Sequence, residues 1–76
     1  MNTVTLADGR EVPADSNEWR DECRLRNMDV LNMRHLDIHQ RREYLIASER
    51  KRGAEYRARL EKAFIADWNA RHGVGK

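Results

Sequence analysis

DIHQRREYLIASERKRG, residues 37–53, carries a start signal and a stop signal for one helix. Asp37 and Gln40 stand at the spacing of a capping box, in which the cap side chain takes a backbone amide and the Gln side chain answers back. Ile38, Leu45 and Ile46 are its apolar positions, with Tyr44 at their edge, while Arg41, Arg42, Arg50, Lys51 and Arg52 cover the rest. Basic residues in a last turn suit the helix dipole, and Gly53 is the residue type that follows a helix C-terminus. This stretch predicts a helix over 38–52, and a joint too short for anything but an antiparallel or sharply angled neighbour.

Downstream, Tyr56, Leu60, Ala63, Phe64 and Trp68 fall on one stripe of a helix predicted over 54–71. Glu55 with Arg59 and Asp67 with Arg71 are favourably oriented i, i+4 pairs on its exposed side. Gly73 closes it, and residues 74–76 are expected to fray. Upstream, Asp15 and Glu18 predict a capping box for a helix over 16–33. Trp19, Cys23, Val30 and Leu31 form its apolar face, widened by Leu25 and Met28, and Asp21 and Glu22 complement the dipole.

Residues 1–13 read as a β-hairpin. With Ala7-Asp8-Gly9 as a three-residue loop and Gly9 left-handed, Val4 faces Val12 and Leu6 shares their side. A two-residue loop would set Leu6 against Glu11, so patterning favours the longer one. The expected fold is mainly α: one domain over 1–76, a short N-terminal hairpin followed by three helices in a small bundle. Its expected core is Trp19, Leu45, Ile46, Leu60, Phe64 and Trp68.

Composition narrows the function. A chain of 76 residues folds with little stability to spare, and its one cysteine offers no internal disulfide. The opening MNTVTLADGR has neither the basic start nor the apolar run of a secretory leader. No apolar run approaches the ~20 residues that span a bilayer. The reading is a bacterial cytoplasmic protein with no membrane partner. Net charge is +2, but residues 1–22 hold six acids against two arginines, and residues 23–76 hold thirteen cations against seven acids.

Cys23, His35 and His39 resemble the back half of a zinc finger, yet the partner cysteine is missing: positions 20 and 21 are Arg and Asp. Asp21 and Cys23, two apart on a helix, point in divergent directions. Neither Cys23 with a histidine nor Glu18 with Glu22 comes with an oxyanion loop or a phosphate cradle. No catalytic, metal or cofactor-binding residue is therefore assigned, and the chain is not expected to be an enzyme.

Binding remains. The leading reading is a protein-interaction module, with Met28, Met33 and Tyr44 off the main stripes as an exposed patch, and with a homodimer or a host protein as partner. The alternative is a DNA- or RNA-binding regulator using Arg41, Arg42, Arg50, Lys51, Arg52, Arg57 and Arg59. Glu43, Glu49, Glu55 and Glu61 interrupt that basic run, where phosphate contacts favour continuous cations.

Asp8-Gly9-Arg10-Glu11-Val12, Glu18-Trp19-Arg20 with Glu22-Cys23, Arg42 with Tyr44-Leu45, Arg52-Gly53, and Trp68 with Arg71 together form a pattern running from Asp8 to Arg71. It resembles a family of small proteins encoded by tailed phages and prophages of Gram-negative bacteria. The resemblance implies an accessory protein without an assigned reaction, of the kind that binds and redirects a host regulatory or defence protein. It carries over no functional residues.

Overall fold

The computed structural model describes residues 2–73. Residues 74–76, expected to fray, lie outside that range. The order is β1 (Thr3–Thr5), β2 (Glu11–Pro13), α1 (Asn17–Met33), α2 (Ile38–Arg52) and α3 (Ala54–His72), a mainly α fold with an N-terminal hairpin.

The strands pair antiparallel with Val4 opposite Val12 and Thr5 opposite Glu11. The loop is the three-residue one: the Leu6 amide bonds to the Arg10 carbonyl at 2.8 Å and the Gly9 amide to the Leu6 carbonyl at 2.9 Å. Gly9 has φ +96°, a conformation that side chains with a Cβ disfavour. Leu6 and Val12 are buried, so the register turns the apolar side inward.

Pairing runs past the strands, because the Ala14 amide reaches the Asn2 carbonyl at 3.0 Å. The chain then turns at Pro13–Ser16, and this moves the helix start one residue beyond expectation. Ser16, not Asp15, is the N-cap: its backbone is extended and its hydroxyl accepts the Trp19 amide at 3.3 Å. The third helical residue is thus Trp19, which has no group to return, and the Asp15–Glu18 box does not form. The Asp37–Gln40 box does, with both reciprocal bonds at 2.8 and 3.0 Å.

Gly53 alone joins α2 to α3. Its amide bonds back to the Glu49 carbonyl at 2.8 Å and its carbonyl accepts the Arg57 amide at 3.2 Å. With φ 95° and ψ 168° it lies in a region open essentially to glycine. Gly73 closes α3 in the left-handed conformation, its amide on the Asn69 carbonyl.

The third helix is the centre of the bundle, packing against both α2 and α1, while β2 leans on α1. The buried cluster is Val30 and Met33 from α1 with Tyr56, Leu60 and Phe64 from α3, edged by Leu25, Leu36, Tyr44, Leu45 and Ala63. The expected core is right for Leu60 and Phe64, and Leu45 packs at its edge. Trp19 is half-buried, and Ile46 and Trp68 are exposed. Three helices and one short hairpin, in a body with extents of 39 × 32 × 16 Å, cover only part of each helix's apolar surface. Trp68, 39% exposed, stacks on His72 instead, with ring centroids 4.0 Å apart. No helix among the described residues is long and apolar enough to cross a membrane.

Two carboxylates tie the elements together. Asp29 of α1 accepts the Tyr44 hydroxyl of α2 at 2.5 Å and the Tyr56 hydroxyl of α3 at 2.6 Å, one on each oxygen. Glu22 of α1 accepts the Ala7 amide of the hairpin at 2.7 Å, Arg26 at 2.9 Å and Arg59 of α3 at 2.8 Å. Burial pushes the Glu22 pKa up, but the Ala7 amide and the two guanidinium groups outweigh it and hold it below its ordinary value.

Candidate functional site

Positions 38, 41, 42 and 45 recur at helical spacing, so one face of α2 reads Ile-Arg-Arg-Leu. Positions 57, 61, 64 and 65 do the same on α3 and read Arg-Glu-Phe-Ile. The tight joint at Gly53 folds these two faces beside each other. Between them runs a groove of about 310 Å³, closed below by Met33 of α1.

Its apolar residues divide by depth. Met33 and Phe64 are buried, whereas Ile38 is 63% and Ile65 56% exposed. Arg41 lies over the Phe64 ring, its guanidinium carbon 5.0 Å from the centroid. Its Nε is enclosed and has no hydrogen-bond partner. Arg57 bonds to Glu61 and to Glu49, each at 2.9 Å, and Glu49, then Glu61, raise its pKa. Among the described residues no carboxylate pairs with Arg41 or Arg42. The groove is therefore apolar in its bed and carries uncompensated positive charge on the α2 side.

The residues expected to form an interface separate. Met28 is 54% exposed on α1. Met33 is a correction: at 1% exposed it belongs to the core, because it shares with Val30 the side of α1 that meets α3. Tyr44 is half-buried, with its hydroxyl donated to Asp29 and accepting from Asn32 at 3.3 Å.

The basic residues separate as well. Arg41, Arg42 and Arg57 line the α2–α3 groove. Lys51 and Arg52 line a cleft with Leu25 and Tyr56, where Arg52 lies 5.5 Å over the Tyr56 ring. Arg59 lines a further cleft with Val4, Trp19 and Ala63, its guanidinium bonded to Glu55 and Glu22 at 2.8 Å. Arg50 is exposed and lines none of the three.

Cys23 is half-buried with its sulfur 3.8 Å from an Arg26 nitrogen, and His35 and His39 are exposed. Among the described residues no three His, Cys, Asp or Glu side chains gather as a metal-holding group.

Sequence reasoning missed Ile38 and Ile65 as surface residues. The signal was present: Ile65 stands one residue off the Tyr56–Leu60–Phe64 stripe, and Ile38 occupies the first turn of α2, next to its cap. Compared with known proteins, the chain matches no family model, no curated protein and no solved structure.

Proposed function

We propose that the chain is a small, non-enzymatic phage or prophage accessory protein that acts in the bacterial cytoplasm by stoichiometric binding of a host protein. The phage assignment rests on the residue pattern from Asp8 to Arg71 given above. The binding assignment is carried by one observation, the two exposed isoleucines flanking the α2–α3 groove. A single exposed apolar side chain is ordinary on a protein surface. Two beside one apolar bed, in a chain with so little core, form a patch of the kind that a partner covers. Burying the part of each that is still exposed would contribute about 1–2 kcal/mol.

Nucleic-acid binding is the weaker alternative. Six of the seven basic residues offered for it divide among three separate clefts and Arg50 lines none of them, and Arg57 and Arg59 are already held by carboxylates of the chain. Phosphate contacts require cations that are adjacent and free.

The test pairs affinity capture from bacterial lysate with titration of duplex DNA. The wild-type chain is expected to retain one protein at equal stoichiometry, and Ile65→Asp is expected to release it. Tight DNA binding at physiological salt, weakening steeply as salt rises, without a captured protein, would overturn the reading.

A further inference from the structure

We infer that the α2–α3 groove takes an acidic amphipathic helix, which docks as a fourth helix with its carboxylates on Arg41 and Arg42. The inference deepens the proposed function and rests on its binding surface.

Length points to a helix. Ile38 and Leu45 are seven residues apart on α2, which is about 10 Å of helix, and Arg57 and Ile65 span about 12 Å of α3. Two turns of a docking helix cover that distance, so side chains at i, i+4 and i+7 would meet Leu45, Phe64 and the two isoleucines in the helix-in-groove mode. Ile38 and Ile65 stay mostly exposed on this side of α2 and α3, and a helix packed at 8–10 Å separation would complete a bundle there.

Charge specifies the partner's polar side. The groove holds Arg41, Arg42, Arg57 and Glu61, and Arg57 is taken up by Glu61 and by Glu49 beside the groove, each at 2.9 Å, so the five groups together carry a net charge of +1. The remaining charge, Arg41 and Arg42, is positive and lies one turn from Ile38. Arg41 is also placed by contacts within the chain itself. It stacks on Phe64 with its Nε enclosed and unpaired, so it loses little freedom on meeting a carboxylate. An aliphatic groove beside two such cations selects Leu or Ile anchors flanked by Asp or Glu. It disfavours the same anchors flanked by Lys, because like charges at a docked surface repel.

The experiment uses the full chain and two capped peptides of about 15 residues, with identical leucines at i, i+4, i+7 and i+11. One carries Glu at the flanking positions and the other Lys. Affinity is read by calorimetry and the site by amide shifts in two-dimensional NMR. The Glu peptide is expected to bind at least about tenfold more tightly than the Lys peptide. Its shifts should centre on Ile38, Leu45 and Ile65. Arg41→Met, which keeps the contact with Phe64, should weaken it about tenfold. Arg24→Met, which removes the same charge from an exposed position of α1, should leave it unchanged. Equal affinity for the two peptides, or equal loss in both arginine variants, would overturn the inference. So would light scattering that shows a two-chain particle dissociated by Ile65→Asp, since the occupant would then be a second copy. If Ile65→Asp releases a captured host protein while the Glu peptide has no advantage, the inference fails and the proposed function stands. If neither peptide binds and no protein is captured, both fail.

Discussion

Asp29 and Tyr56 meet across the α1–α3 interface, with the tyrosine hydroxyl donating to Oδ2 at 2.6 Å. The same carboxylate takes Tyr44 of α2 on its other oxygen at 2.5 Å. One anion thus links all three helices at the edge of the core. Burial raises the pKa of both tyrosines, and Asp29 raises it further, so each hydroxyl is held as a donor. Hydrogen bonds of this length to an ionised acceptor are the strong kind.

Tyr56→Phe is expected to cost about 1.5–3 kcal/mol, the range for a bond to a charged group. Tyr44→Phe is expected to cost less, because that hydroxyl is less buried and Asn32 has water as a substitute. Asp29→Ala should exceed either, since it leaves two hydroxyls without their acceptor. Urea unfolding of the three variants and of the Asp29/Tyr56 double mutant gives the coupling directly. Additive effects in that cycle would show that the pair contributes nothing as a pair.

Gly53→Ala is expected to destabilise by about 1–3 kcal/mol, although nothing lies within 4 Å of where the new Cβ would be. The cost belongs to the backbone at φ 95°, not to crowding. A chemically synthesised chain with D-alanine at position 53, whose preferred φ is positive, should recover the wild-type thermal midpoint. If L-alanine and D-alanine behave alike, the joint does not hold this conformation in solution.

The helices and hairpin were legible because their signals are local. The Asp37–Gln40 box, Gly53 and the Ala7-Asp8-Gly9 loop each depend on a few neighbouring residues. The sequence alone places the N-terminal cap one position early, at Asp15, because local spacing does not carry how far the hairpin pairing runs, a contact between Asn2 and Ala14. The core is only partly legible for a related reason. Helical period identifies an apolar face, but α3 has two neighbours and the chain has mass for covering only part of it. So Trp68 stays exposed near the end of α3, while Met33 of α1 takes a buried place against it. Asp29 and Glu22 gave no local cue, since an acid in a charged helix looks the same whether it faces water or three partners. The groove was half legible: its spacing on each helix stands in the sequence, but the facing of 38–45 against 57–65 required the fold.

Ser16→Ala is expected to cost about 1 kcal/mol through loss of the N-cap. Asp15→Ala should cost less than half of that, because Asp15 keeps only a weak favourable charge near the helix start. The two variants, compared by thermal unfolding, separate the observed cap from the one-residue alternative. An ordering reversed in experiment would make Asp15 the N-cap.

Stability is expected to fall at both ends of the pH range, for opposite reasons of sign. Arg34 bonding to Asp67 lowers that carboxyl most; burial opposes it and Arg71 adds to it, leaving the pKa at about 2 against an ordinary 3.8. Glu22 is likewise held below its ordinary 4.5. A carboxyl with a depressed folded pKa binds fewer protons in the native state. Its contribution is therefore complete above the ordinary value and is lost as pH falls from about 4.5 through about 2. Tyr44 and Tyr56 shift upward from 10.0, so their contribution is complete below that value and is lost as pH rises beyond it. Thermal midpoints measured against pH should show a plateau with a limb on each side. Glu22→Gln should lower the plateau and shallow the acid limb, and it should speed hydrogen exchange at the Ala7 amide that Glu22 holds at 2.7 Å. Tyr56→Phe should also lower the plateau, and of the two limbs it should shallow only the alkaline one. An acid limb as steep in Glu22→Gln as in the wild type would mean that Glu22 keeps its ordinary pKa, and that the tie between hairpin, α1 and α3 is not held by its charge.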